Sequence, residues 1–431
     1  MTPLKRFLLR GARLIDPHLN LDRVADLWID AGQILAIGTG PAVTPDTRVV
    51  NLEGSWIFPA LTDLHVRLGE PDVAHPVETL ARAAVAGGYT RLVSAPDTRP
   101  VNDVPAVTRH LTAQFVQQGL VTLHPLGAAT LGLEGQQLAE MGGLTQAGVV
   151  GFSDGGQPIA RSDVLRHVLE YLRPFDRPLF LRCEDGELAA GGVVHEGSMA
   201  TRLGLKGIPS VAEEVAIYRA LALARHTGTR VHLCQLSTAR AVDLVREAKE
   251  TGQNVTCDAS PHHLWFTGEV VRGYGTSARV LPPLRETSDR QALIHGVNEG
   301  TIDVISSGHT PQRREDKDVE FEAALPGVSS LETTLSAVVT LVRQGALNLE
   351  RALKALTYRP ASVVGLPYSG IAEGAPADLT VVAPDELWKV DPERLQSACR
   401  SSLFAGHVLN GPVKLTFRAG LLVFEAAATT S

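Results

Sequence analysis

Between about residues 60 and 365, short apolar runs alternate with amphipathic stretches, and this alternation constrains the fold more than any other feature of the chain. The runs are Phe58 to Leu64, Thr90 to Ser94, Val121 to Leu126, Gly148 to Phe152, Pro178 to Arg182, Arg230 to Leu236, Asn254 to Asp258 and Asp303 to Ser307. They are apolar on both faces, as parallel strands covered by helices on one side and by a core on the other should be. Helical patterns lie between them: Val77 to Ala86, Pro105 to Gln117, Ser162 to Leu172, Val211 to Arg225, Ala239 to Thr251 and Arg285 to Val297. About eight such units predict an α/β fold, a (β/α)₈ barrel of the TIM type. A doubly wound open sheet would also alternate, but no Gly-x-Gly-x-x-Gly follows a strand, which disfavours a dinucleotide-binding sheet.

Both ends of the chain have a different texture. Phe7 to Leu9, Asp26 to Ile29 and Ile34 to Ile37, with the Ala31-Gly32 turn, read as short strands. Asp378 to Val382, Val413 to Phe417 and Leu421 to Glu425 match them near the C-terminus, with turn glycines at Gly411 and Gly420. The two ends are therefore expected to pair into one small β-sandwich domain. The predicted division is 1–57 and 366–431 for that domain, and 58–365 for the barrel.

Charge and cysteine usage exclude several function classes. Forty Lys and Arg are outnumbered by forty-seven Asp and Glu, so a nucleic-acid partner is not expected. No apolar stretch reaches membrane-spanning length and no cleavable leader is read at Met1 to Arg13, so no membrane association is expected. Cys183, Cys234, Cys257 and Cys399 form no Cys-x-x-Cys pair, which fits a reducing cytoplasm. Cys183 and Cys234 end strands and read as small buried residues, with no Cys–His nucleophile pair beside them. Fourteen histidines direct attention to metal ligation.

In a barrel, reactive groups project from the C-terminal ends of the strands. Those positions carry His65, Arg67, Asp97, Asp154, Arg182, Gln235, Asp258 to His263, Gly308 and His309. The segment Phe58 to Pro71 (Phe-Pro-Ala-Leu-Thr-Asp-Leu-His-Val-Arg-Leu-Gly-Glu-Pro) resembles the signature of the dihydroorotase branch of the amidohydrolase superfamily. Ordered blocks continue the likeness: Gly87-Gly88-Tyr89-Thr90, Ala95-Pro96-Asp97-Thr98, Phe152-Ser153-Asp154, Cys183-Glu184-Asp185, His195-Glu196-Gly197, Gly207-Ile208-Pro209, Ser237-Thr238, Pro261-His262-His263-Leu264, Pro282-Pro283-Leu284-Arg285 and Leu331-Glu332-Thr333. Gly370-Ile371 and Ala377-Asp378-Leu379 extend it into the terminal β domain.

The resemblance also shows what is missing. It implies a His-x-His metal pair where the chain has His65 and Arg67, and a further metal-binding His where it has Arg182. Another such His is replaced by Gln235, and the metal-binding, proton-carrying Asp by Gly308. Of two paired aspartates only Asp154 remains, beside Gly155. The substrate positions implied are likewise altered: Gly69 replaces an Arg, Asp97 an Asn and Leu281 an Asn. Arginine stays charged in a protein and repels a divalent cation, so the family zinc is expected to be lost and no cofactor is expected. Without a metal there is no activated hydroxide, and without a carboxylate at 308 no proton carrier. Asp97 would repel an anionic substrate. Arg67 and Arg182 are expected to pair with Asp154 and Asp97 in place of the metal.

The resulting expectation is a catalytically inactive chain. The resemblance implies a structural subunit that associates with an aspartate carbamoyltransferase catalytic chain in pyrimidine biosynthesis, with self-association in the complex. Three alternatives stand beside it: an active cyclic-amide hydrolase with a rearranged metal site, a ligand sensor, and a free-standing structural protein. The rearranged site would use His65, Asp154 and one of His262, His263 or His309. His195-Glu196 is read as a packing feature, and Arg313 to Asp318 as a solvated loop.

Overall fold

The computed structural model describes residues 6–68 and 76–427. The chain opens with β1 (Arg6–Asp16), β2 (Leu21–Asp30), β3 (Gln33–Ile37), β4 (Thr47–Asn51) and β5 (Trp56–Pro59). Strand β1 pairs antiparallel with β2 and parallel with both β4 and β5. At Ala60 the chain leaves this sheet, and Leu61–Val66 (β6) begins the barrel. The apolar run expected from Phe58 to Leu64 is therefore two strands. Phe58 faces Thr380 in the terminal sheet, whereas Asp63 faces Leu92 in the barrel.

The barrel continues through β7 (Tyr89–Ser94), β8 (Thr122–Pro125), β9 (Gly127–Ala128), β10 (Phe152–Ser153) and β11 (Leu179–Arg182). A short parallel pair, β12 (Val194–His195) with β13 (Gly207–Ile208), stands outside it. Then come β14 (Val231–Cys234), β15 (Val255–Ala259) and β16 (Val304–Ile305). Neighbouring barrel strands are parallel throughout. Strands β8 and β9 are one strand interrupted at Leu126, whose N–H donates to Ser94 O at 2.9 Å. The ring closes where His309 bridges Val66 and where Asp63 accepts the Ser307 N–H at 2.9 Å. The fold is thus the α/β barrel that the alternation predicts.

Leu64, Val93, Leu126, Val150, Phe180, Cys234 and Val304 fill one interior layer, and Val363 and Val364 of the last helical turn pack against it. Helices wrap the outside over a second, larger core. Local chemistry ends these helices where the periodicity stops. Pro105–Gln118 begins with Pro105 in its first turn, where a missing N–H costs nothing, and stops at Gly119 in the left-handed region. Ala239–Glu250 starts on Thr238, whose hydroxyl accepts the Ala241 N–H at 3.2 Å.

After the barrel the chain returns to its starting sheet. Strand β17 (Leu379–Val382) lies antiparallel between β5 and β20 (Val413–Arg418), and β21 (Leu421–Glu425) completes the edge. A separate hairpin joins β18 (Leu387–Lys389) to β19 (Val408–Asn410). Leu9, Leu27, Ile29, Ile57, Leu379, Val381 and Phe417 form the core of this β-sandwich domain, which draws on both ends of the chain. Among the described residues, no helix is long and apolar enough to cross a membrane.

Candidate active site at the barrel mouth

A cavity sits at the C-terminal ends of the barrel strands, where a parallel barrel places its chemistry. His65, Arg67, Arg182, Gln235, His262 and Gly308 line it, together with Leu281. Its volume is about 60 Å³, room for a few waters. Gly69 lies outside the described residues.

Two arginines fill much of the mouth. Arg67 follows β6, and its Nε lies 2.9 Å from Asp97 Oδ2, so this expected pair forms. Arg182 ends β11 and does not reach Asp154. Its Nη2 donates to Glu184 Oε1 at 3.0 Å and its Nη1 to Gly156 O at 3.0 Å. Asp154 is taken elsewhere: it accepts the Ala129 and Thr130 N–H groups at 3.1 and 2.9 Å and the Thr130 hydroxyl at 2.6 Å. Burial raises its carboxyl above the usual range despite those donors. Of the two carboxylates expected to pair with the arginines, Asp97 does so, whereas Asp154 does not and Arg182 pairs with Glu184 instead. The proposed metal set of His65, Asp154 and a further histidine is not assembled, because Asp154 is spent on the loop after β9.

The remaining predicted positions fall into place as follows. Gln235, after β14, has a backbone φ of 54° and donates its N–H to Asp258 Oδ1 at 3.0 Å. Gly308 also has a positive φ, 64°, and a Cβ built there would lie 2.5 Å from Gln235 Nε2 and 3.3 Å from His262 Nε2. Gln235 thus occupies the space an aspartate at 308 would need. His65 is half-buried; burial lowers its pKa, partly offset by the Asp258 carboxylate. Burial, with His263 and His65 nearby, holds His262 well below the usual imidazole range, and its Nδ1 has no hydrogen-bond partner among the described residues. His263 bonds Ser260 Oγ at 2.7 Å and Pro282 O at 3.0 Å. His309 accepts the Ser330 N–H at 3.1 Å through Nδ1.

A group that the sequence did not single out lies just below. His232 and Cys234 alternate on β14 and so share a face, and Asp258 follows on β15. His232 Nε2 lies 2.9 Å from Asp258 Oδ2, and its Nδ1 lies 2.8 Å from Thr256 Oγ1. Burial would raise the Asp258 carboxyl, but His232, His65 and the Ser306 hydroxyl together hold it below the usual range. One ligand atom from each of His232, Cys234 and Asp258 falls within 4.8 Å of the others, a set able to hold a metal ion. Nitrogen, sulfur and oxygen donors in one place suit a zinc-type cation. The expectation of a chain without any metal site is corrected by this cluster. It lies on different residues from the positions at which Arg67, Arg182, Gln235 and Gly308 stand. The signal available in the sequence was the His-x-Cys alternation within an apolar strand.

Two further stretches gain detail. His195 Nδ1 accepts from Arg285 Nη1 at 3.0 Å, and Arg285 also serves Ser237 Oγ, Ile208 O and, at 3.6 Å, Glu213. The stretch Arg313 to Asp318 is not simply a solvated loop. It contains a helical turn, Arg314–Lys317, and Lys317 is buried, donating to Thr276 O, Arg279 O and Leu325 O at 3.0, 3.3 and 2.7 Å.

A family model described as dihydro-orotase-like matches residues 54–241. The chain is 43% identical over 421 residues to a protein named dihydroorotase from Anaeromyxobacter dehalogenans (strain 2CP-C), covering 97% of each. It is 39% identical over 423 residues to one of the same name from Syntrophus aciditrophicus (strain SB), covering 97% of this chain and 99% of that one. Among solved structures, an L-hydantoinase (dihydropyrimidinase) from Arthrobacter aurescens superposes with a TM-score of 0.87 at 25% identity, covering 98% of this chain and 96% of that one. A dihydropyrimidinase from Brevibacillus agri NCHU1002, at 20% identity and a TM-score of 0.81, shares the fold over 97% of this chain and 95% of its own. Similarity over nearly the whole chain to proteins named as enzymes overturns the expectation of a chain without activity.

Proposed function

Because the chain belongs to the dihydroorotase-like amidohydrolase family, we propose that it hydrolyses a cyclic amide at the barrel mouth, from a set of groups rearranged around Arg67 and Arg182. The observation that carries this reading is the placement of the cavity: His65, Arg67, Arg182, Gln235 and His262 converge there at the C-terminal ends of the barrel strands.

Each group suits a part of amide hydrolysis. Arg67 and Arg182 present fixed positive charge to a carbonyl oxygen that becomes negative as water adds. His65, kept neutral by burial, can accept the proton that water gives up. Gln235 and Leu281 shape the wall against which a flat ring lies. His232, Cys234 and Asp258 would hold a cation, which when bound supplies a Lewis acid and a more acidic water. Burial holds the Cys234 thiol protonated in the absence of such an ion.

The test is turnover of dihydroorotate, dihydrouracil and hydantoin by the full chain purified without chelators, with metal content measured on the same sample. Ring opening of at least one substrate is expected, with loss of activity in His65→Ala. Failure to open any of the three by protein supplied with zinc overturns the reading.

We also propose, from the resemblance, that the chain docks an aspartate carbamoyltransferase catalytic chain. Val211, Val215 and Tyr218 support the existence of a docking face, since they stand exposed in one row along the helix Val211–Thr227.

A further inference from the structure

The arginines at the cavity are more than plugs. A Cβ built on Gly156 would lie 2.1 Å from Arg67 Nη2 and 3.7 Å from Arg182 Nη1, so these two nitrogens are within about 6 Å of each other. Each guanidinium is fixed from behind by one carboxylate, Arg67 by Asp97 and Arg182 by Glu184. The Nε of Arg182 is buried and has no hydrogen-bond partner among the described residues. A third guanidinium, Arg279, is buried and held by Val193 O at 2.9 Å. Its charge is felt at Arg182 and Glu184, so three arginines face two carboxylates in this region. The histidines of the wall, His65 and His262, add no charge while burial keeps them neutral. A half-buried cationic pair, with Arg182 Nε still unpartnered and a third guanidinium beside it, is short of an anion.

We propose that Arg67 and Arg182 form a clamp for a small carboxylate, so that the site holds a ring-opened acid in preference to the cyclic amide from which it comes. Planar carboxylates match the guanidinium fork and form short charge-assisted bonds with it. The cavity has room for the carboxylate group itself. The source of the acid rests on the proposed hydrolysis: water adds, a C–O bond forms, the ring C–N bond breaks, the nitrogen takes up one proton of the water and the other is released as the new acid ionises. The clamp itself rests on the arginines alone.

Calorimetric titration of the full chain with N-carbamoyl-β-alanine, dihydrouracil and inorganic phosphate tests it. The ring-opened acid is expected to bind at least about tenfold more tightly than either of the others. Arg67→Gln and Arg182→Gln should each weaken the acid by about tenfold or more without lowering the melting temperature to match, and Arg182→Lys should fall between. If the glutamine variants do not fold, the lysine variant alone decides: unchanged affinity for the acid overturns the clamp. Equal or tighter binding of dihydrouracil overturns it too, and tighter binding of phosphate overturns the carboxylate assignment. Failure to open any ring, with intact arginine-dependent acid binding, overturns the hydrolase reading and leaves the clamp standing. Ring opening with acid binding indifferent to both arginines does the reverse.

Discussion

Gly308 and Gln235 are best understood together. With Gln235 Nε2 only 2.5 Å from where a Cβ would start, and a φ of 64°, position 308 accepts glycine alone. Gly308→Ala is expected to destabilise the fold by about 1–2 kcal/mol from the left-handed backbone, with overpacking in addition. Denaturant unfolding of the variant measures this, and Gln235→Ala should relieve the overpacking part only. Buried histidines act at the same scale. Burial lowers His124 and His263 to about 4 and His309 to about 3. Their folded pKa values lie below the unfolded value near 6.5, so the folded state resists protonation and stability is lost as pH falls from about 6.5 toward 4. Asp63, raised to about 7 by burial, and Asp154 and Glu213, also raised by burial, have the opposite sign and gain stability over the same fall, but His65, His195 and His262 are lowered as well, so the histidines outnumber them. The melting temperature should therefore drop on acidification, and drop less steeply in His263→Gln. The altered ligand positions were legible as single residues. Their new partners were not, because Asp154 is consumed by backbone amides that reach it only through the turn after β9.

Among the elements, the strands were the most legible part of the sequence, since a run apolar on both faces has few other uses. The error at Phe58 to Leu64 has a physical cause. A barrel strand and a sandwich strand carry the same pattern, and nothing in an apolar run marks the switch of partner at Ala60. The links between elements were illegible for a related reason. Arg285 reaches Ser237, Ile208, His195 and Glu213, which belong to segments far apart in the chain. Glu213 in turn accepts the Ser237 N–H at 2.8 Å, which ties the start of helix Val211–Thr227 to the loop after β14. Both side chains are buried, so Arg285→Met should cost about 3–5 kcal/mol by leaving Glu213 unpaired. The double variant Glu213→Gln with Arg285→Met should regain part of that in urea unfolding. A double variant no more stable than Arg285→Met alone would show that the arginine acts by packing.

For the whole molecule, the row of Val211, Val215 and Tyr218 gives the proposed partner a defined place to be tested. Co-expression with an aspartate carbamoyltransferase catalytic chain should yield a complex that migrates together, and Tyr218→Lys should weaken it by tenfold or more while leaving ring opening unchanged. Separate migration of the two unmodified chains overturns the docking proposal. The terminal domain has a different consequence, one of timing. Strands β1 to β5 leave the ribosome before the barrel, yet β5 finds its second neighbour only in β17, more than three hundred residues later. Through most of synthesis the earliest strands wait with an open edge beside a growing barrel, and their apolar faces stay wet until Leu379, Val381 and Phe417 arrive. The segment from Leu379 onward thus acts as the seal on strands made before it, and a chain cut short before Leu379 would expose a sticky sheet edge.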